Sequence, residues 1–306
     1  MTSEARVLGL QCLRCRSRFD EPRLFAGCPS CRAQGVAVNL TVEYDLAPLA
    51  GVTGDTFAPT SARVSAGACA GASGARAVKG LWRFRHLLPV RSTKPVSLGE
   101  GATPLVHLER LGRRLGLPRL YAKDESQNPT WSYKDRLCAV AVTHGIETGA
   151  RVITISSTGN HGASTAAYAA RANVPCVIFT LASVPETMKT LMQAYGAAVV
   201  ACPTSESRWE LMRQGVERFG WYPTSGFVMP PVGSNPWGVE GYKTIAYEIA
   251  EDLGWAAPDV VVVRTSAGLK DPGVTRAWLP PVPAADGDFD RLLRVLSEAY
   301  GLALDR

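Results

Sequence analysis

The sequence predicts an α/β protein with a parallel sheet, preceded by a small cysteine-rich module. Two observations carry this expectation. From Arg151 onward, short apolar runs alternate with helix-length ones. Val152–Ser156, Cys176–Thr180, Ala198–Ala201 and Asp259–Val263 read as strands, the last of them buried. Gly162–Arg171, Pro185–Tyr195, Glu206–Phe219 and Gly238–Leu253 read as helices. Such alternation implies right-handed crossovers joining parallel strands. At the front, Cys12-Leu13-Arg14-Cys15 and Cys28-Pro29-Ser30-Cys31 form two CxxC knuckles with twelve residues between the inner cysteines.

Taken in order, residues 1–45 read as a zinc ribbon. Four thiolates in two close pairs suit tetrahedral zinc, in a closed and therefore structural site. A redox dithiol or disulfides are the other readings. The doubled pair, in a chain that starts without an apolar leader, favours zinc and a cytoplasmic setting. The run Val36–Tyr44 is strand-like and would complete the ribbon. Arg14, Arg16, Arg18, Arg23 and Arg32 make the module basic. No aromatic stacking series accompanies them, so a solvated face is expected rather than a nucleic-acid surface. Residues 46–95, rich in Ala, Gly, Ser and Pro, read as a linker with a featureless stretch at Gly67–Gly74. Leu81-Trp82-Arg83-Phe84 begins its attachment to a core spanning 96–306.

Within that core, Asn128-Pro129-Thr130 reads as a turn. Ser132 with Asp135 three residues later has the form of a capping box. With Ser132 as N-cap, Lys134 falls at the second helical position. Leu137, Val140 and Ala141 follow at helical spacing, and Gly149 supplies the stop. Lys134 can be read as an ordinary solvated lysine. However, the positive end of a helix dipole is the wrong place for a merely structural one, and positive potential is what activates a nucleophilic amine. The next strand ends in Ser156-Ser157-Thr158-Gly159-Asn160-His161-Gly162. A loop of small residues opening a helix offers backbone N–H groups to an anion, at the strand end where parallel sheets bind ligands. Together the two suggest a Schiff-base cofactor beside a carboxylate pocket. His161 could serve as an acid–base group, and packing is at least as good an account of it.

These residues resemble the fold-type II pyridoxal-phosphate enzymes, most closely the threonine synthase branch. The resemblance runs through Glu100-Gly101-Ala102-Thr103-Pro104-Leu105, Lys123 to Thr130, Ser132-Tyr133-Lys134-Asp135-Arg136 and Ser157 to Gly162. It continues at Glu240-Gly241-Tyr242-Lys243-Thr244 and returns at Thr265-Ser266-Ala267-Gly268-Leu269-Lys270-Asp271-Pro272. It implies a tryptophan synthase β-like domain in which Lys134 carries pyridoxal 5′-phosphate as a Schiff base and moves protons. Asn160 would bond the cofactor's 3′-oxygen, and Ser157, Thr158 and Gly159 would grip the substrate carboxylate. Thr265, or Ser266 beside it, would sit by the pyridine nitrogen. Tyr133 stands where many relatives have Phe. The implied reaction converts O-phosphohomoserine to threonine and phosphate. β-Elimination or β-replacement on another amino acid, by a dehydratase, ammonia-lyase or cysteate-type synthase, shares the same motifs. Relatives often carry a similar zinc ribbon, and the resemblance implies a homodimer.

One part departs from the pattern. In relatives a Gly-rich phosphate loop and a long second half follow the strand that corresponds to Asp259–Val263. Here Val263-Arg264 runs straight into Thr265. The expectation is an incomplete domain that lacks an internal segment near Arg264, with sheet edge and apolar surface exposed. An inert remnant, or one that pairs with another subunit, is the corresponding alternative. With 306 residues, 46% hydrophobic content and a formal charge of +6, the chain can hold the module and one α/β domain, and no apolar run approaches membrane length.

Overall fold

The computed structural model describes residues 4–51 and 80–267, together with Glu298. All but Glu298 belong to one structural unit, Met1–Ala267. The expected linker stretch Gly67–Gly74 and the Gly268–Pro272 end of the last motif lie outside the described residues.

The module is a three-stranded antiparallel sheet in the order β2-β1-β3, formed by β1 (Arg6–Cys12), β2 (Arg18–Phe19) and β3 (Leu40–Asp45). A single turn, α1 (Pro29–Arg32), starts directly after Cys28 with Pro at its first position, where a missing N–H costs nothing. The third strand begins at Leu40 rather than Val36. Residues 36–38 instead wrap the second knuckle: Val36 donates to Cys31 O at 3.0 Å and Val38 O accepts from Cys28 at 2.9 Å.

A 3₁₀ segment, Gly80–Leu87, then anchors the chain by burying Leu81, Trp82 and Phe84. It is followed by β4 (Leu105–His107), α2 (Glu109–Leu115) and β5 (Leu120–Asp124). The central helix α3 (Lys134–Glu147) is buried from Asp135 through Gly145, as befits a helix apolar on every side after its first turn. Next come β6 (Ile153–Ser156), α4 (Asn160–Arg171), β7 (Cys176–Leu181), α5 (Glu186–Ala194), β8 (Ala198–Cys202), α6 (Ser205–Phe219) and β9 (Tyr222–Pro223). Thr204 and Ser207 close a capping box on α6, and Gly220, left-handed at φ 65°, ends it. Strands β8-β7-β6-β9 form the predicted parallel sheet.

Two expected elements differ. Gly238–Leu253 is not one helix but a 3₁₀ turn, Gly238–Tyr242, followed by α7 (Lys243–Asp252). The turn must fit closely over α3: a Cβ on Gly241 would lie 2.0 Å from Arg136 O, and one on Gly238 2.8 Å from Ala141 Cβ. The last strand, β10 (Val260–Arg264), is parallel to β5 in a second sheet ordered β10-β5-β4, but it is not buried. Val260, Val262 and Val263 are 39%, 50% and 38% exposed. Among the described residues β10 has one strand neighbour, and nothing covers its valines.

Candidate active site and cysteine cluster

The lysine-bearing turn is set on a buried ionic network. Arg136, fully buried, donates to Glu125 through Nε at 2.7 Å and Nη2 at 2.8 Å. It donates to Glu248 through Nη1 at 2.8 Å and Nη2 at 2.7 Å, and to Thr244 and Thr103 hydroxyls at 3.0 and 3.1 Å. Lys123, equally buried, reaches Glu248 at 3.0 Å and Thr103 O at 2.7 Å. Burial raises the Glu248 carboxyl, but the hydrogen bond and charge of Arg136, with Lys123, outweigh that and hold it down at about 2. Burial likewise opposes the Arg136 charge, and the two carboxylates more than restore it. Thr103, Lys123, Glu125 and Thr244 of the quoted motifs thus serve this network, a use that sequence reading alone did not reveal.

Lys134 is the first residue of α3. The N-cap is Tyr133, which has no side-chain cap, so Lys134 stands one position earlier in the helix than expected; Ser132, expected as the cap, lies just outside, where its Oγ accepts the Lys134 amide at 3.1 Å. The capping box does not close. The Asp135 carboxylate instead accepts from Thr130 N at 2.7 Å, from the Thr130 hydroxyl, and from Ser164 Oγ at 2.6 Å on α4. Burial pushes that carboxyl up to about 6 against these hydrogen bonds. Pinning α3 to α4 in this way leaves the neighbouring amine with no carboxylate partner among the described residues. Lys134 Nζ donates to Tyr242 Oη at 3.0 Å and lies 4.4 Å from the Tyr133 ring centroid. The two tyrosine rings stack at 4.9 Å.

The Ser157–Gly162 loop joins β6 to α4. Ser157 is buried, and its hydroxyl accepts from Gly162 N at 3.0 Å and Gly159 N at 3.3 Å, which organises the loop. Thr158 is exposed; Gly159 is half-buried, with nothing within 4 Å of the place a Cβ would occupy. Asn160 opens α4. Burial, helped by the Lys134 charge, holds the His161 imidazole down at about 3, so the ring is neutral. Its Nε2 is buried without a hydrogen-bond partner among the described residues. Thr265 and Ser266 lie alongside: Tyr133 N donates to Thr265 O at 3.0 Å, Ala267 N to Trp131 O at 3.2 Å, and Ser132 bridges Ser266. The segment after β10 is therefore bridged to the segment entering Lys134. Trp131 makes that entry in the left-handed region, at φ 61°.

In the module, the sulfurs of Cys12, Cys15, Cys28 and Cys31 lie within 4.8 Å of one another. Cys12 and Cys31 are 3.7 Å apart, and Cys15 and Cys28 are 3.5 Å apart. Tetrahedral bonds of about 2.3 Å to zinc place sulfurs about 3.8 Å apart, so the donor set fits that ion in both chemistry and size. Hydrogen bonds from Ser17 hold the exposed Cys15 thiol down at about 6. Cys138, Cys176 and Cys202 are buried and free.

Residues 96–277 match the family model described as Pyridoxal-phosphate dependent enzyme. The chain belongs to this family. The threonine synthase of Methanocaldococcus jannaschii is 39% identical over 191 residues, 60% of this chain and 44% of that protein. The threonine synthase of Mycobacterium leprae is 35% identical over 229 residues, 72% of this chain and 59% of that protein. Among solved structures, the apo diaminopropionate ammonia lyase of Escherichia coli aligns over 52% of this chain and 50% of that chain, at 20% identity and TM-score 0.45. The chain spans about half the length of the curated relatives it matches.

The family's cofactor fits the lysine end of the site. An amine free of carboxylates, a capped loop open above Gly159 and the orphaned His161 nitrogen all suit a small anionic aldehyde. Among the described residues, no helix is long and apolar enough to cross a membrane.

Proposed function

We propose that the chain binds pyridoxal 5′-phosphate through Lys134 and acts on an amino acid in the manner of threonine synthase, converting O-phosphohomoserine and water to threonine and phosphate. The observation that carries this reading is the environment of Lys134: an amine at a helix start, bonded to a phenol rather than a carboxylate, beside an anion-ready loop. Bound pyridoxal phosphate would supply the electron sink for breaking bonds at the substrate's α-carbon. Lys134 would hold the cofactor and carry protons to and from the substrate carbons. Backbone groups at Thr158 and Gly159 would take the substrate carboxylate, with the Ser157 hydroxyl fixing the loop. Asn160 would bond the cofactor's ring oxygen, and Thr265 or Ser266 would lie by its nitrogen. The four cysteines would hold one structural zinc.

Phosphate release and threonine formation from O-phosphohomoserine test the proposal. Both are expected from the chain supplied with cofactor, and Lys134→Ala should lower them about 10³-fold. Deamination of serine or threonine without phosphate release would support the β-elimination reading instead. The exposed valines of β10 favour one further reading, a non-catalytic remnant that is inert or pairs with another subunit. Absence of turnover on every amino acid tried would support it.

A further inference from the structure

One 3₁₀ turn, Gly238–Tyr242, bonds to the cysteine module through Glu240 and to Lys134 through Tyr242. Tyr44, on β3, donates its hydroxyl to Glu240 Oε2 at 2.8 Å. Lys243 Nζ donates to the same oxygen at 2.7 Å and lies 4.1 Å from the Tyr44 ring centroid. Two more module residues grip the same stretch of the core: Asn39 Nδ2 donates to Ser234 O at 3.0 Å, and Pro22 O accepts from Trp237 Nε1 at 2.9 Å. Two residues beyond Glu240 stands Tyr242, whose hydroxyl accepts from Lys134 Nζ at 3.0 Å. Gly241, between them, is pressed against the Arg136 carbonyl with no room for a Cβ. Glu240 and Tyr242 thus share one short turn seated on α3, so a change in how Glu240 is held bears on the turn that carries Tyr242. Burial, then the Glu240 charge, raises the pKa of the Tyr44 phenol, so it remains a donor across the neutral range.

We infer that Tyr44 is a positioning residue for Lys134, acting through Glu240 and Tyr242, so that the cysteine module forms part of the scaffold of the site. The catalytic meaning of this inference rests on the reading of Lys134 given above, but its geometry does not.

Competitive labelling of lysines by trace acetic anhydride, read by mass spectrometry on the metal-loaded full chain without cofactor, tests it independently of that reading. The hydrogen bond to Tyr242 Oη restrains the Lys134 side chain, and its loss frees the amine to meet the reagent. Labelling of Lys134 relative to the exposed Lys94 should rise about fivefold in Tyr242→Phe and about twofold in Tyr44→Phe. Glu240→Gln should change the ratio in the same direction and serves where Tyr44→Phe fails to fold. A purely structural role for Tyr44 would lower the melting temperature and leave the labelling ratio at its wild-type value. That result, or a change in Tyr242→Phe alone, overturns the inference. Failure of the cofactor reading appears elsewhere, as the lack of a Lys134 adduct with pyridoxal phosphate.

Discussion

Arg136 shows how much of this site is support rather than chemistry. Its guanidinium satisfies two buried carboxylates and two hydroxyls drawn from positions 103 to 248. Removing it leaves buried Glu125 without a cation and Glu248 with Lys123 alone, so Arg136→Met should cost about 3–5 kcal/mol in urea unfolding. Acid sensitivity follows from the same buried groups. The Glu248 carboxyl falls from 4.5 to about 2 on folding, so its contribution is complete above 4.5 and is lost as pH drops toward 2. His161 and His144 fall from 6.5 to about 3 and about 4, chiefly through burial, so their neutral rings stabilise the fold above 6.5 and cease to do so on acidification. Asp135, raised from 3.8 to about 6, works the other way and offsets part of the loss between those values. Melting temperature should therefore decline below about pH 6, most steeply toward pH 3. A flat profile from pH 7 to 3 would contradict these environments. Lys134 was legible in the sequence because its cap and its turn are local. The partners of Arg136 were not, because they are spread from position 103 to 248 and only the fold brings them together. Nor was the duty of Ser157, whose hydroxyl serves the loop's own amides.

Among the elements, the parallel sheet and its helices were readable from alternation alone, with boundaries shifted by a residue or two at β6, α4 and α5. The misread elements have a common cause. The 3₁₀ turn before α7 carries helix-like spacing, but its glycines answer to the surface of α3, which no local pattern records. β10 has the composition of a buried strand, Val260-Val261-Val262-Val263, yet lies at a sheet edge with its valines open. Such an edge is a template for association. Val262→Lys should reduce concentration-dependent association in sedimentation while leaving the melting temperature within a degree or so; unchanged association would show that the edge is not used. In the module, metal analysis should find one zinc per chain. Cys28→Ala should abolish it, since a closed four-thiolate site does not survive with three ligands of this geometry. Zinc retained at full stoichiometry in that variant would contradict the site.

At the scale of the whole molecule, the chain combines a family signature over residues 96–277 with about half the length of its curated relatives. The junction was visible in the sequence as Val263-Arg264 meeting Thr265. The structure bridges that junction to the segment entering Lys134, so Thr265 and Ser266 stand beside the turn that carries the lysine. The central claim is that the cofactor end of the site survives in this chain. The most direct test is to add pyridoxal phosphate to the purified chain, reduce with borohydride and map the modified peptide by mass spectrometry. The account predicts an absorbance band before reduction and modification confined to Lys134, lost in Lys134→Ala. No adduct, or adducts scattered over surface lysines of a folded protein, would contradict it.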